Sequence, residues 1–346
     1  MAIQNYSTVA GRINEFKGEI IGHAMTVEAL GPFGQMRKMP KNSGDNVTYR
    51  SYLPYGATTT NANTINRPSV TASAHLLTEG VTPAADTVSA RDISVTLQEY
   101  GALYSYSNKT ALMYEDDIPS EMVKICGERI GLLREMIRWG ALKAGTNTFY
   151  AGGTSRATVD ETVSWNLLSK VSRNLKANHG KPITSVLAPS MNYSTFGVNP
   201  SFVVVAHTDL EHDIYALPDF TKAVEYGQKK MVHDMEIGSV GNFRFVLSPE
   251  LASIADSGAA VGSTGLYSTS ASNIDVYPMI VMAEDAWGDV ALRGLDSVKP
   301  FHLSYKDRDK SDVFGQRGYI GASFFSATTI TNNGWMAVVE CGVTSL

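Results

Sequence analysis

The chain has 346 residues, 43% hydrophobic and 18% charged, with a formal net charge of −5. That length exceeds one compact core at ~100–200 residues per domain, so two or three lobes are expected. The acidic balance argues against a dedicated nucleic-acid binder, which carries a basic excess; a charged fraction below the usual ~25% suits extensive protein–protein contact.

Met1 to Tyr6 holds no basic or apolar signal region. The apolar runs, such as Phe202 to Ala206, fall far short of the ~18 residues of a membrane span. Cys126 and Cys341 form no C-x-x-C and read as buried free thiols of a chain intracellular at synthesis.

Residues 1–44 read as an arm, with a short helix over Ser7 to Phe16 and then the breakers Gly31, Pro32, Gly34, Pro40 and Gly44. Asn46 to Leu53 alternates as a strand, with Val47, Tyr49 and Ser51 on one face. The tract Gly56 to Ser73 is rich in Thr, Asn, Ala and Ser and has almost no charge beyond Arg67. A structureless stretch of ~20 residues is unusual inside a compact domain, so it reads as a projecting hairpin ordered by something else. Residues 91–107 alternate again, with a bend expected at Gly101. With 46–53 they would form the two limbs of the projection.

The clearest helix lies within 108–144, with Pro119 in its first turn. Met122, Ile125, Cys126, Ile130, Leu133, Met136, Ile137 and Leu142 form its apolar stripe, and Lys124, Glu128, Arg129, Glu135 and Arg138 its polar face. A Gly/Thr break follows over 145–160. Thr162 to Asn178 reads as helix, Ser185 to Ala188 and Phe202 to Ala206 as strands, and Asp219 to Tyr226 as a short helix. Phe243 to Leu247 and Val276 to Ala283 read as strands around a surface loop at 252–273, and the last residues are strand-rich, with no internal repeat.

Candidate chemistry is sparse. His207, Asp209 and His212, with His233 downstream, are the best metal-like cluster, but the spacing is not H-E-x-x-H. A capped helix start is the competing reading, because acids there meet the positive dipole end. Ala151 to Arg156 is Gly-rich but lacks the phosphate-loop lysine, and no G-x-S-x-G is present. Asp116-Asp117 reads as a helix entry, Lys229-Lys230 as a solvated turn and Trp287 as a packed aromatic near a turn. No constellation supplies several titratable groups in plausible catalytic roles, and no cofactor is expected.

The order of arm, extended loop, long helix, mixed lobe and returning strands resembles the Hong Kong 97 fold of tailed-phage major capsid proteins, and local strings resemble the N4-like phage group. Those strings are Leu77 to Pro83, Gln98 to Gly101, Gly145 to Asn147 with Tyr150 to Gly152, and His207 with Asp209, Leu210 and Asp213. They continue with Glu236 to Gly238, Gly241 to Val246, Glu284 to Gly288, Gln316 to Gly321 and Trp335-Met336. The likeness runs from about residue 75 to the C-terminus; Thr208 stands where the family has proline, and the tract 56–74 matches nothing closely.

The resemblance implies an α+β fold with an N-terminal arm (1–44), an extended β-hairpin loop (45–92), a peripheral domain with a spine helix (93–160), an axial domain (161–295) and peripheral return strands (296–346). It implies a non-enzymatic shell subunit forming hexamers and pentamers of an icosahedral head around double-stranded DNA. Partners would be further copies, a separate scaffolding protein, a portal and a decoration protein, with assembly in the bacterial cytoplasm and no membrane. Arg67, Leu77, Glu79 and Arg91 are the candidate intersubunit contacts. A metal-dependent hydrolase built on the histidine cluster, and an encapsulin-like cargo shell, are the competing readings.

Overall fold

A computed structural model describes residues 28–346, apart from 41, 43, 55–57, 61–63, 67–69, 84, 114–117, 188–194, 228–229, 263, 293–297 and 307–311. The expected helix over Ser7 to Phe16, Arg67, Asp116-Asp117 and Lys229 lie outside the described residues.

The chain opens with β1 (Gln35–Met39), β2 (Asn46–Tyr52), β3 (Thr58–Thr60) and β4 (Thr64–Asn66), followed by β5 (Ala90–Thr96) and β6 (Gln98–Ser107). Helices α1 (Asn108–Met113) and α2 (Ile118–Leu142) come next, then β7 (Thr148–Tyr150) and α3 (Trp165–Ala177). β8 (Ile183–Leu187), β9 (Thr195–Ala206), α4 (Glu211–Tyr215), β10 (Thr221–Lys222), β11 (Glu236–Val240) and β12 (Phe243–Leu247) follow. The chain closes with β13 (Tyr277–Met282), β14 (Trp287–Leu292), β15 (Val298–Leu303), β16 (Arg317–Ile330) and β17 (Met336–Cys341).

Two mixed sheets carry the fold. The larger has eight strands, ordered β10-β11-β12-β9-β13-β17-β7 with β8 against β9. Its centre is buried on both faces: β13 is a continuous apolar run, while β12 and β17 each carry one buried charge, Arg244 and Glu340. Alternate side chains divide between two cores. Val204, Phe245, Met279, Val281 and Val339 pack with Leu168, Val171 and Leu175 of α3. Val203, Val205, Val246, Ile280 and Val338 pack with Trp139 and Leu142 of α2. Ser164 caps α3, its hydroxyl accepting from the Leu167 N–H.

The smaller sheet has five strands, ordered β1-β14-β16-β15, with β6 also on β16. One face packs on α2 through Ala102, Tyr106, Ile320, Ala322 and Phe324 against Val123, Cys126 and Ile130. α2 therefore serves both sheets: its N-terminal half covers the small one and its C-terminal end the large one. At 25 residues it spans about 37 Å.

Several expectations from sequence change here. The run 91–107 is two strands, broken at Leu97 rather than bent at Gly101: β5 pairs with β2, whereas β6 pairs with β16. The break at 145–160 contains β7, which docks in parallel on β17. Asp219 to Tyr226 is no α-helix: Asp219 has φ 58°, and a two-residue strand and a 3-10 turn follow. Trp287, by contrast, is a packed aromatic near a turn as expected: it is fully buried as the first residue of β14, directly after the turn at 284–286. The sheets also cut across the boundaries expected at 160 and 295. β14 joins the small sheet, while β7 and β17 join the large one, because strand partners are chosen by apolar complementarity across the chain.

The β2–β5 hairpin is rooted by Tyr49, buried with Met39 and Val290. Its ring lies against Gly288, where a Cβ would sit 2.6 Å from the Tyr49 hydroxyl oxygen. Gly288→Ala is expected to cost about 1–3 kcal/mol through this overpacking. The check is a urea midpoint that falls in this variant and stays put in a Tyr52→Ala control, since Tyr52 is exposed.

Candidate functional site

Two features stand out: a loop that leaves apolar side chains in water, and a buried ion network where that loop meets the body.

The hairpin closes with the Leu53 N–H donating to the Ser89 carbonyl at 2.9 Å, so the chain between them is an excursion. β3 and β4 form a small hairpin within it, and β4 lies beside the 3-10 turn Asn333–Trp335 of the same chain. The excursion thus folds back in part instead of projecting along its whole length. Beyond β4 it exposes a series of apolar side chains: Leu76 is 84% exposed, Leu77 72%, Val81 63% and Val88 79%. Isolated exposed apolar residues are ordinary; several close together on one segment mark a contact surface.

The candidate contact residues are treated differently by the fold. Leu77 and Glu79 are exposed on this loop. Arg91 instead turns inward, its Nη2 donating to the Thr331 carbonyl at 2.5 Å. Arg50 and Asp92 stiffen the hairpin by a bidentate pair, both bonds 2.7 Å.

Beneath the hairpin, the segment around Glu28 crosses α2. Arg138, fully buried, donates from Nε and Nη2 to Asp289 Oδ2 at 3.0 and 2.7 Å, and from Nη1 to Glu28 Oε2 at 2.6 Å. Arg134 meets the other Glu28 oxygen at 3.0 Å. The Ala29 and Leu30 N–H groups donate to Glu135 Oε1 at 3.2 and 3.0 Å. Ser326 and Thr328 hydroxyls reach Asp289 Oδ1 at 3.4 and 3.3 Å. One network thus joins the N-terminal segment, α2, β14 and β16 at the seam between the two sheets. Sequence reading placed Glu135 and Arg138 on the polar face of α2; both are buried, while Ile125 and Met136 are exposed.

The charges in this network titrate differently. Burial alone would raise Glu28, but the guanidiniums of Arg138 and Arg134 outweigh it and hold the carboxyl below its ordinary value. For Glu135 burial dominates over Arg138, and its carboxyl is pushed up from 4.5 to about 7. Between those values the folded chain keeps Glu135 protonated while the unfolded chain has lost the proton. Folding then takes up a proton, so stability falls as pH rises from 4.5 to about 7 and levels off above. Glu28 acts in the opposite sense and below that window. The expected contribution from Glu135 is about 3 kcal/mol. Glu135→Gln keeps an acceptor for the two amides and removes the proton; urea midpoints of the variant should be flat across this window where the parent declines.

The histidine cluster is scattered into structural roles. His207 Nδ1 accepts from the Asp209 N–H at 3.1 Å and caps the 3-10 turn Thr208–Leu210. The Tyr277 hydroxyl donates to Asp209 Oδ2 at 2.8 Å. His212 is exposed on α4. His233 Nδ1 accepts from the Met235 N–H at 3.1 Å while Nε2 lies 3.3 Å from the Glu28 carbonyl oxygen, the pattern of a neutral ring with its hydrogen on Nε2. Burial lowers its pKa, which favours that form. Among the described residues no group of three or more His, Cys, Asp or Glu is placed to hold a metal ion. Burial raises both cysteine thiols, Cys126 and Cys341.

No protein-family model matches the chain. The major capsid protein of Pseudomonas phage KPP21 is 20% identical over 265 residues, which cover 70% of this chain and 66% of that protein, just under two thirds of its length. Among solved structures, the capsid of Ralstonia phage GP4 superposes with a TM-score of 0.61 at 11% identity, covering 90% of this chain and 87% of that one. The head structure of Helicobacter pylori bacteriophage KHP40 gives 0.59 at 11% identity over 99% and 93%. The Cyanophage Pam1 capsid gives 0.56 at 12% identity over 93% and 94%. The chain has the mixed α+β fold of phage capsid proteins.

Proposed function

We propose that this chain is the major capsid protein of a tailed phage, a structural subunit and not an enzyme. The observation that carries this is the likeness to phage capsid chains over almost the whole length, with a phage major capsid protein as a sequence relative. A fold alone does not imply function. The exposed apolar loop supports the reading independently, because apolar side chains clustered in water mark a contact surface.

In this reading the fold is of the Hong Kong 97 type and the phage is N4-like. Residues 1–44 are the arm, 45–92 the extended loop and α2 the spine helix. The small sheet belongs to a peripheral domain and the large sheet to an axial domain. Copies form hexamers and pentamers of an icosahedral head enclosing double-stranded DNA, and the loop of one copy lies over the next. A separate scaffolding protein, a portal and a decoration protein complete the head, which assembles in the bacterial cytoplasm and ends as the virion shell. Contacts per subunit then far exceed the ~1,600 Å² of a standard interface. No observation favours the hydrolase: His207 and His233 accept backbone N–H groups in turns, and His212 is exposed on α4.

Negative-stain electron microscopy with light scattering tests the reading. Closed hollow particles, tubes or capsomer rings of megadalton mass are expected, alone or with a co-expressed scaffold. A small monomer or dimer under all conditions would overturn it. Particles enclosing one co-purified enzyme would point to the cargo shell.

A further inference from the structure

The fold gathers one charged surface and leaves it without a partner. No Asp or Glu lies between Glu161 and Asp209, yet Lys170, Arg173, Lys176 and Lys181 all do. A chain with net charge −5 therefore keeps a purely cationic stretch. Several cations elsewhere are paired, among them Arg50 with Asp92, Arg156 with Glu340 and Arg244 with Glu236. Among the described residues no carboxylate pairs with Arg173 or Lys176.

The outer face of α3 presents these two cations as part of a groove. Trp165, Ser169, Ser172, Arg173 and Lys176 recur along one helical stripe, opposite the buried Leu168, Val171 and Leu175. They form one wall of a hollow of about 530 Å³; the turn between β11 and β12, with Phe243, forms the other. A second hollow of about 200 Å³ shares Lys176 and Asn242 and runs on to Pro182, Pro200 and Phe202. Trp165 is 38% exposed and lies over Gly241, whose φ of 54° and missing Cβ admit the ring. The groove thus has an aromatic wall, an apolar floor and a cationic rim.

We infer that this groove docks an acidic peptide segment of a partner protein, with carboxylates on Arg173 and Lys176 and an apolar side chain against Trp165. Charge complementarity selects the acid: two exposed, unpaired cations on an otherwise acidic chain attract anions and repel little. The apolar floor selects a peptide over a polynucleotide backbone, whose phosphates would meet the rim and leave the hollow beside Trp165 unfilled. Recognition of an acidic motif by a basic rim joined to an apolar anchor is a recurrent mode of peptide binding. The inference does not depend on the shell reading.

The test is fluorescence anisotropy of a labelled peptide made of alternating Glu-Glu and Leu-Leu pairs, titrated with the full chain. Saturable binding that weakens with salt is expected. Arg173→Glu with Lys176→Glu should weaken it at least about tenfold. Trp165→Ala should weaken it with the charge unchanged. Thermal melts verify folding, and Arg173→Gln with Lys176→Gln replaces the reversal if that pair melts early. Equal binding by parent and charge variants would overturn the inference. So would tighter binding of a DNA oligonucleotide that displaces the peptide, which would make this a nucleic-acid surface. Self-association of the parent that the charge variants abolish would assign the groove to a second copy and overturn it as well.

Discussion

Arg138→Met is expected to lower the free energy of unfolding by about 3–5 kcal/mol. Arg138 sits between Glu28 and Asp289 with its side chain 1% exposed; theirs are 11% and 4% exposed. Burial opposes its charge, and Glu28, Asp289 and Glu135 together more than offset that, so its pKa is raised. Methionine matches the stem but leaves Asp289 buried without a cation and Glu28 with Arg134 alone. Desolvating one carboxylate costs several kcal/mol unless it is paired, which sets the size of the effect. The position also matters: the network lies where α2 passes from one sheet to the other, so both sheets feel its loss. Urea unfolding at constant m-value measures the change. The triple variant Arg138→Met, Glu28→Gln, Asp289→Asn should recover most of the loss, because neutral amides remain bonded without an uncompensated charge. A loss under about 1 kcal/mol in the single variant would mean that apolar packing around Trp139 and Leu142 holds the seam unaided.

The second large effect is on assembly and not on the fold. Leu76→Asp, Leu77→Asp and Val81→Asp together should leave the unfolding midpoint of the isolated subunit within about 0.5 kcal/mol of the parent. All three side chains are exposed and touch little of their own chain. In a shell the same residues would be buried against a neighbour, and three unpaired carboxylates there would each cost several kcal/mol at every copy of the contact. Closed particles should therefore disappear from negative-stain fields while the circular dichroism spectrum is unchanged. Normal closed particles from this variant would remove the loop from the assembly surface.

The strongest elements were legible because they are periodic. Phe243 to Leu247, β-prone with only Arg244 charged, and the apolar run Val276 to Ala283 became β12 and β13. Thr162 to Asn178 carries one apolar stripe and a serine cap, and it became α3. The alternation of Val47, Tyr49 and Ser51 gave the inward face of β2. The tract after it reads as a projection because a long polar stretch without period buries little surface; within it the structure forms β3 and β4, and β4 lies back on the turn Asn333–Trp335.

The ion network was missed although a signal for it exists. The buried stripe of α2 runs through Val123, Gly127 and Gly131 and continues through Glu135, Arg138 and Leu142 at steps of three and four. Charged residues at stripe positions were assigned to the polar face, because a hydrophobicity pattern treats charge as outward. Burial of such residues depends on partners, and Glu28 and Asp289 are remote from α2 in sequence.

The sequence by itself determined most of the local elements, among them α2, α3, β12 and β13, because periodicity, turn residues and composition act over a few neighbours. Only the tertiary structure decided that β5 and β6 part at Leu97, that β7 and β17 join one sheet and β14 the other, and that Arg138 is buried. It also decided that α3 carries its cations beside a groove. These are long-range choices of partner, set by which surfaces exclude water together.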